Sequence, residues 1–93
     1  MTAVVVTRHA ALVTYLVEAG IIGPDARVIE HATDDDVRGR HVIGVLPLRL
    51  AAMAETITEV PLIVPPEARG RELSVEDIRT FAGTPTTYCV RKM

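Results

Sequence analysis

Two apolar runs in this 93-residue chain end in cationic side chains. Ala3-Val4-Val5-Val6 leads straight into Thr7-Arg8-His9, and Pro61-Leu62-Ile63-Val64 leads into Pro65-Pro66-Glu67-Ala68-Arg69-Gly70-Arg71-Glu72. A guanidinium offers a planar fork of donors that matches phosphate bidentately. An imidazole changes charge near neutral pH and can give or take a proton during a reaction. Arg8, His9, Arg69 and Arg71 therefore point to an anion site, phosphate first, with His9 as the proton-transfer group. Gly70 would let a ligand come close to the loop backbone. Thr7 is either a ligand contact or a helix cap. His9 has packing at a helix start as its other reading, and the Arg69–Glu72 stretch has an exposed loop with internal Arg–Glu pairs. Arg49 stands where a second helix should begin; a positive charge there opposes the helix dipole, which makes it a further anion candidate.

Other chemistries find little support. Neither the glycine-rich P-loop nor the dinucleotide fingerprint occurs, which argues against nucleoside triphosphate hydrolysis and nicotinamide chemistry. Cys89 is the only cysteine, so there is no disulfide within the chain and no thiolate metal site, and a reducing cytoplasm fits. His31 and His41 lack metal-ligand spacing and read as surface residues. Asp34-Asp35-Asp36 offers oxygen ligands for a divalent cation, but a solvated turn is the simpler reading. No cofactor and no metal are expected.

The elements that must position the cations follow from periodicity. Residues 3–6 form a buried strand, and residues 10–19 repeat apolar side chains at helical spacing before Gly20 stops the helix. A short strand follows at 27–31, then a polar turn at 34–40. Residues 41–46 are a nearly continuous apolar run, as in a strand covered on both faces. Pro47 fits the first turn of a helix over 48–57. A fourth strand is expected at 60–64, a third helix begins after Ser74 with Asp77 completing a capping box, and a last strand spans 86–90. The order β-α-β-β-α-β-α-β predicts one α/β domain over residues 1–93: a small Rossmann-like, open, mostly parallel sheet with helices on both faces. Ligands in such sheets bind beyond the carboxyl ends of the strands. If the first and third strands are neighbours, Thr7-Arg8-His9 faces Leu46-Pro47 across a crevice that the 65–73 loop can cover.

The formal net charge of −2 argues against a binder of long nucleic acid held by bulk charge. Nine of the ten basic residues are arginine, which codon bias alone could produce; their positions carry more than their number. The apolar runs fall far short of the roughly 20 residues a membrane helix needs, and no secretory signal pattern opens the chain. Hydrophobic residues make up 48% of the chain, which suits a homodimer that buries part of that surface. Tyr15 and Glu18 fall on the outer face of the first helix and are available to such a contact.

Three separated segments also resemble a known family. They are Val4-Val5-Val6-Thr7-Arg8-His9, Val42-Ile43-Gly44-Val45-Leu46-Pro47-Leu48-Arg49-Leu50-Ala51-Ala52, and the 65–74 stretch beginning Pro65-Pro66-Glu67. In that order they are similar to the Csx-sixteen family of CRISPR-associated accessory proteins, found beside type III systems. The chain departs from the family pattern at Arg49 and Val64, where histidine and a carboxylate are more usual. The resemblance implies a ring nuclease that degrades a cyclic oligoadenylate messenger, cyclic tetra-adenylate above all. Such enzymes work without metal: a ribose 2′-hydroxyl attacks the neighbouring phosphate. On this reading His9, Arg8 and Arg71 are catalytic, while Thr7, Pro47, Arg49, Arg69 and Gly70 bind the ring. The alternative is a non-catalytic protein that sequesters or senses the same messenger; a structural subunit of the effector complex fits the local arginine clusters least.

Overall fold

The computed structural model describes residues 3–93; Met1 and Thr2 of the expected 1–93 domain lie outside the described residues. Five strands form one sheet in the order β2-β1-β3-β4-β5. The strands are β1 (Val4–Val6), β2 (Arg27–Ile29), β3 (His41–Gly44), β4 (Thr56–Glu59) and β5 (Thr86–Tyr88). The first four are parallel, and β5 runs antiparallel to β4 at the edge. The helices are α1 (Ala10–Glu18), α2 (Asp34–Val37), α3 (Leu48–Ala51) and α4 (Val75–Phe81). The mostly parallel α/β sheet expected from the sequence is therefore present.

Alternation along the central strands divides the core in two. Val4 and Val6 of β1 pack with Val42, Ile57, Val37, Leu50, Ala51 and Ala54 on the face covered by α2 and α3. Val5 points the other way and packs with Ile43, Leu16, Ile22 and Val60 on the face covered by α1. α4 lies beside α1, where Arg79 donates to Glu18 at 2.6 and 3.0 Å. Glu18 is thus engaged within the chain, and Tyr15 packs against the second cluster rather than facing outward. Burying a branched aliphatic such as Val5 or Val42 stabilises the fold by roughly 1.5–3 kcal/mol each.

The stretch from 48 to 64 differs most from expectation. The helix expected over 48–57 ends at Ala51, and the strand is Thr56–Glu59 rather than 60–64. Thr56-Ile57-Thr58-Glu59 alternates polar and apolar residues, and the β-branched side chains at 56, 57 and 58 suit a pleated surface. The Glu55 amide donates to the Arg40 carbonyl at 2.8 Å, which draws this segment beside β3. Of the expected 60–64 strand, only Leu62 retains a bridge, antiparallel to Ala82. The polar turn at 34–40 begins instead as α2, with Thr33 and Asp36 forming a reciprocal capping box. The capping box of Ser74 and Asp77 at the start of α4 is present as expected. No helix among the described residues is long and apolar enough to cross a membrane.

Candidate functional site

The sheet order makes β1 and β3 neighbours while the chain departs from them in opposite directions along the sheet, β2 on one side and β4 on the other. That is the topological switch point, where open α/β sheets leave a crevice beyond their carboxyl ends. Gly44, the last residue of β3, lies in register with Val6 of β1. It has φ +137°, and a Cβ at this position would run into the Val6 carbonyl oxygen. Glycine is required here both for the backbone conformation and for the close approach of the two strands. Beyond this pair the chains part around a cleft of about 370 Å³, lined by Thr7, Arg8, His9, Glu30 and Val45 together with apolar residues.

Thr7-Arg8-His9 links β1 to α1. The Thr7 amide donates to the Ile29 carbonyl at 3.0 Å, holding the link against the end of β2. The Thr7 hydroxyl accepts the His9 amide at 3.1 Å, closing a local turn. His9, not Thr7, is the N-cap of α1, and its side chain makes no capping bond. The His9 imidazole is thus free of the capping role and lines the cleft. Arg8 also lines a second cleft on the other side, with Glu30, His31, Leu46 and Pro47. Thr7-Arg8-His9 and Leu46-Pro47 therefore border adjoining parts of one crevice, with Pro47 as the N-cap of α3 rather than a residue of its first turn.

The other arginines are mostly committed elsewhere. Arg27, Arg38, Arg49, Arg71 and Arg79 each pair with a carboxylate. Arg8 enters no ion pair among the described residues. Arg49 meets Asp34 at 3.1 Å and lies in a separate groove with Leu48, Met53, Val90, Arg91 and Lys92. The structure does not bring Arg49 to the crevice, and a four-residue α3 has little dipole for it to oppose. Each aspartate of Asp34-Asp35-Asp36 has its own arginine partner, Arg49, Arg38 and Arg27 in turn.

Arg71 reaches the edge of the crevice: it lines a smaller cleft with His9, Leu12, Leu62, Glu72 and Leu73. Its guanidinium is bidentate to Asp77, at 2.6 and 3.3 Å. That hydrogen bonding, with the Ser74 amide, holds the Asp77 carboxyl down at about 2. Arg71 thereby fastens the loop to the start of α4. Arg69 bends back to donate to the Val64 carbonyl at 3.2 Å and is not among the residues lining these clefts. Gly70 has φ +84° in open space, so the turn, rather than crowding, requires glycine.

Two residues carry more than the sequence suggested. His41 is half-buried, with Nδ1 2.5 Å from the Thr56 hydroxyl and Nε2 3.2 Å from the Thr58 hydroxyl, tying β3 to β4. Glu30 follows directly on β2 and lines both clefts that Arg8 lines. Reading 27–31 as continuous strand hid it; ending the strand at Ile29 would have placed Glu30 at the same sheet edge as Arg8.

A family model described as "Putative CRISPR-associated protein (Cas_VVA1548)" matches residues 4–91. The chain belongs to this family. The Cas_VVA1548 match runs from β1 past β5 and so takes in every strand and helix, including the crevice residues Thr7, Arg8, His9 and Glu30. No curated protein and no solved structure matches the chain. A CRISPR-associated role is thus set at the level of the family.

Proposed function

We propose that this CRISPR-associated protein is a ring nuclease of type III systems, acting in the cytoplasm on cyclic oligoadenylate and above all on cyclic tetra-adenylate. The observation that supports it best is the switch-point crevice, where Arg8, without an ion-pair partner among the described residues, stands next to His9. Intramolecular cleavage asks little of the protein. The ribose 2′-hydroxyl is already beside the phosphate it attacks, so no serine, cysteine or other protein nucleophile is needed. The protein must hold the sugar and phosphate in line and stabilise charge as the phosphorane forms. Arg8 serves the second task and His9 transfers a proton, with Thr7 and Pro47 bounding the bound nucleotide. Arg71 acts from the rim, through donors its pairing with Asp77 leaves free. No metal or other cofactor takes part.

A cleft of about 370 Å³ lies near the lower end of small-molecule sites, roughly 300–1,000 Å³. One chain therefore covers part of a four-nucleotide ring, and two copies in a symmetric homodimer would cover it from both sides. Incubating the pure protein with cyclic tetra-adenylate in the presence of EDTA, followed by chromatography, tests the reading. Linear products ending in 2′,3′-cyclic phosphate are expected. An intact ring retained on the protein would make it a binding protein that sequesters or senses the messenger.

A further inference from the structure

We infer that Glu30 is the base that takes the proton from the attacking ribose 2′-hydroxyl, an assignment that rests on the ring-nuclease reading. Register fixes its place. Val6 pairs with Ile29, and the Thr7 amide bonds the Ile29 carbonyl, so residue 30 leaves the sheet beside Thr7 and Arg8. Glu30 and Arg8 together line both parts of the crevice, and no other carboxylate lines either one. Yet the two form no ion pair with each other or with any other described residue. Five other arginines of the chain have found a carboxylate, whereas this cation and this anion line the same crevice with both left free for a ligand.

A carboxylate repels phosphate and accepts hydrogen bonds from neutral donors. A ribonucleotide offers such a donor next to its 3′-phosphate, the 2′-hydroxyl. Arg8 and Glu30, lining the same crevice, match that pair, the guanidinium on the phosphate oxygens and the carboxylate on the hydroxyl. In the step, the 2′-O–H proton passes to Glu30 while the 2′-oxygen–phosphorus bond forms. The phosphorus–5′-oxygen bond breaks, and protonated His9 gives its proton to the leaving 5′-oxygen. The products are a 2′,3′-cyclic phosphate and a 5′-hydroxyl; one proton has been taken up and one released, and exchange with water resets both side chains. His9 lines the first part of the crevice with Glu30, which suits an acid and a base serving opposite ends of one displacement.

The test is single-turnover cleavage of cyclic tetra-adenylate across pH, beside a binding titration, for the parent, Glu30→Gln and Glu30→Asp. Glu30 is exposed, so both variants should fold, as circular dichroism can verify. Glu30→Gln should keep ring affinity within a few-fold, cleave about 10²-fold or more slowly, and lose the fall in rate on the acidic side of the profile. Glu30→Asp should cleave at an intermediate rate and keep that acidic fall. Parental cleavage by Glu30→Gln, with an unchanged profile, would overturn the assignment and leave the ring-nuclease reading standing. Equal losses in affinity and rate would make Glu30 a recognition group and also overturn it. A parent that binds the ring without cleaving it would remove both readings together.

Discussion

At the scale of single residues, the proposed function gives Arg8 and His9 different tasks in the crevice. Arg8 would contact phosphate in the ground state and in the transition state alike, whereas His9 would matter chiefly when the proton moves. His9→Ala is therefore expected to lower single-turnover cleavage of cyclic tetra-adenylate by about 10²–10⁴-fold with little loss of affinity. Arg8→Ala should lower both. A His9→Ala protein that cleaves at the parental rate would make His9 a packing residue. Gly44 carries a different kind of constraint. Gly44→Ala must adopt φ +137° and meet the Val6 carbonyl oxygen, which should cost about 3 kcal/mol or more, read as a large drop in thermal midpoint. Arg8 and His9 were legible because they interrupt an apolar strand where ligands gather. Glu30 was not, since its place depends on where a neighbouring strand stops.

At the scale of elements, local signals were read correctly where packing agrees with them and misread where a distant partner decides. The apolar spacing across 10–19 gave α1, and Ser74 with Asp77 gave the start of α4, because caps and helical faces are written within a few residues. Leu48 to Ala54 has the composition of a helix, yet it yields after one turn because Ile57 and Thr58 pair with β3. No window of sequence contains that pairing. Thr33-x-x-Asp36 was a readable cap that the run of aspartates masked. The loop before α4 has its own pH signature. Arg71 and the Ser74 amide hold the Asp77 carboxyl at about 2, below its ordinary 3.8. A carboxyl depressed by folding stabilises the native state above its unfolded value, and that contribution fades as pH drops toward 2. Asp77→Asn should therefore melt below the parent near pH 6, with the gap closing between about pH 4 and pH 2. A gap that stays constant across that range would mean that the pair does not hold the loop.

At the scale of the whole molecule, large aliphatic side chains remain in solvent in the segments that follow β3 and β4, and of these Val45 lines the crevice. Val45 is 69% exposed, Leu48 77% and Ile63 74%. Each follows β3 or β4 at the carboxyl side of the sheet, the end that carries the crevice. Burial of these residues against a second copy would bring two crevices toward one ligand. Light scattering at micromolar concentration is expected to give about twice the 10.1 kDa chain mass, and Leu48→Glu to shift it toward the single mass. A clean single mass for the parent would remove the homodimer.

The approach of β3 to β1 at Gly44 also bears on how such a crevice can diversify. The two strands meet there at a residue with nothing to exchange, so substitution offers no graded change in their spacing. Variation enters more easily through the loops beyond it, Val45 to Pro47 and Leu62 to Leu73, the second within the anchors set by buried Ala68 and the Arg71–Asp77 pair. A lineage adapting this scaffold to a different ligand would keep the glycine and rewrite those two loops.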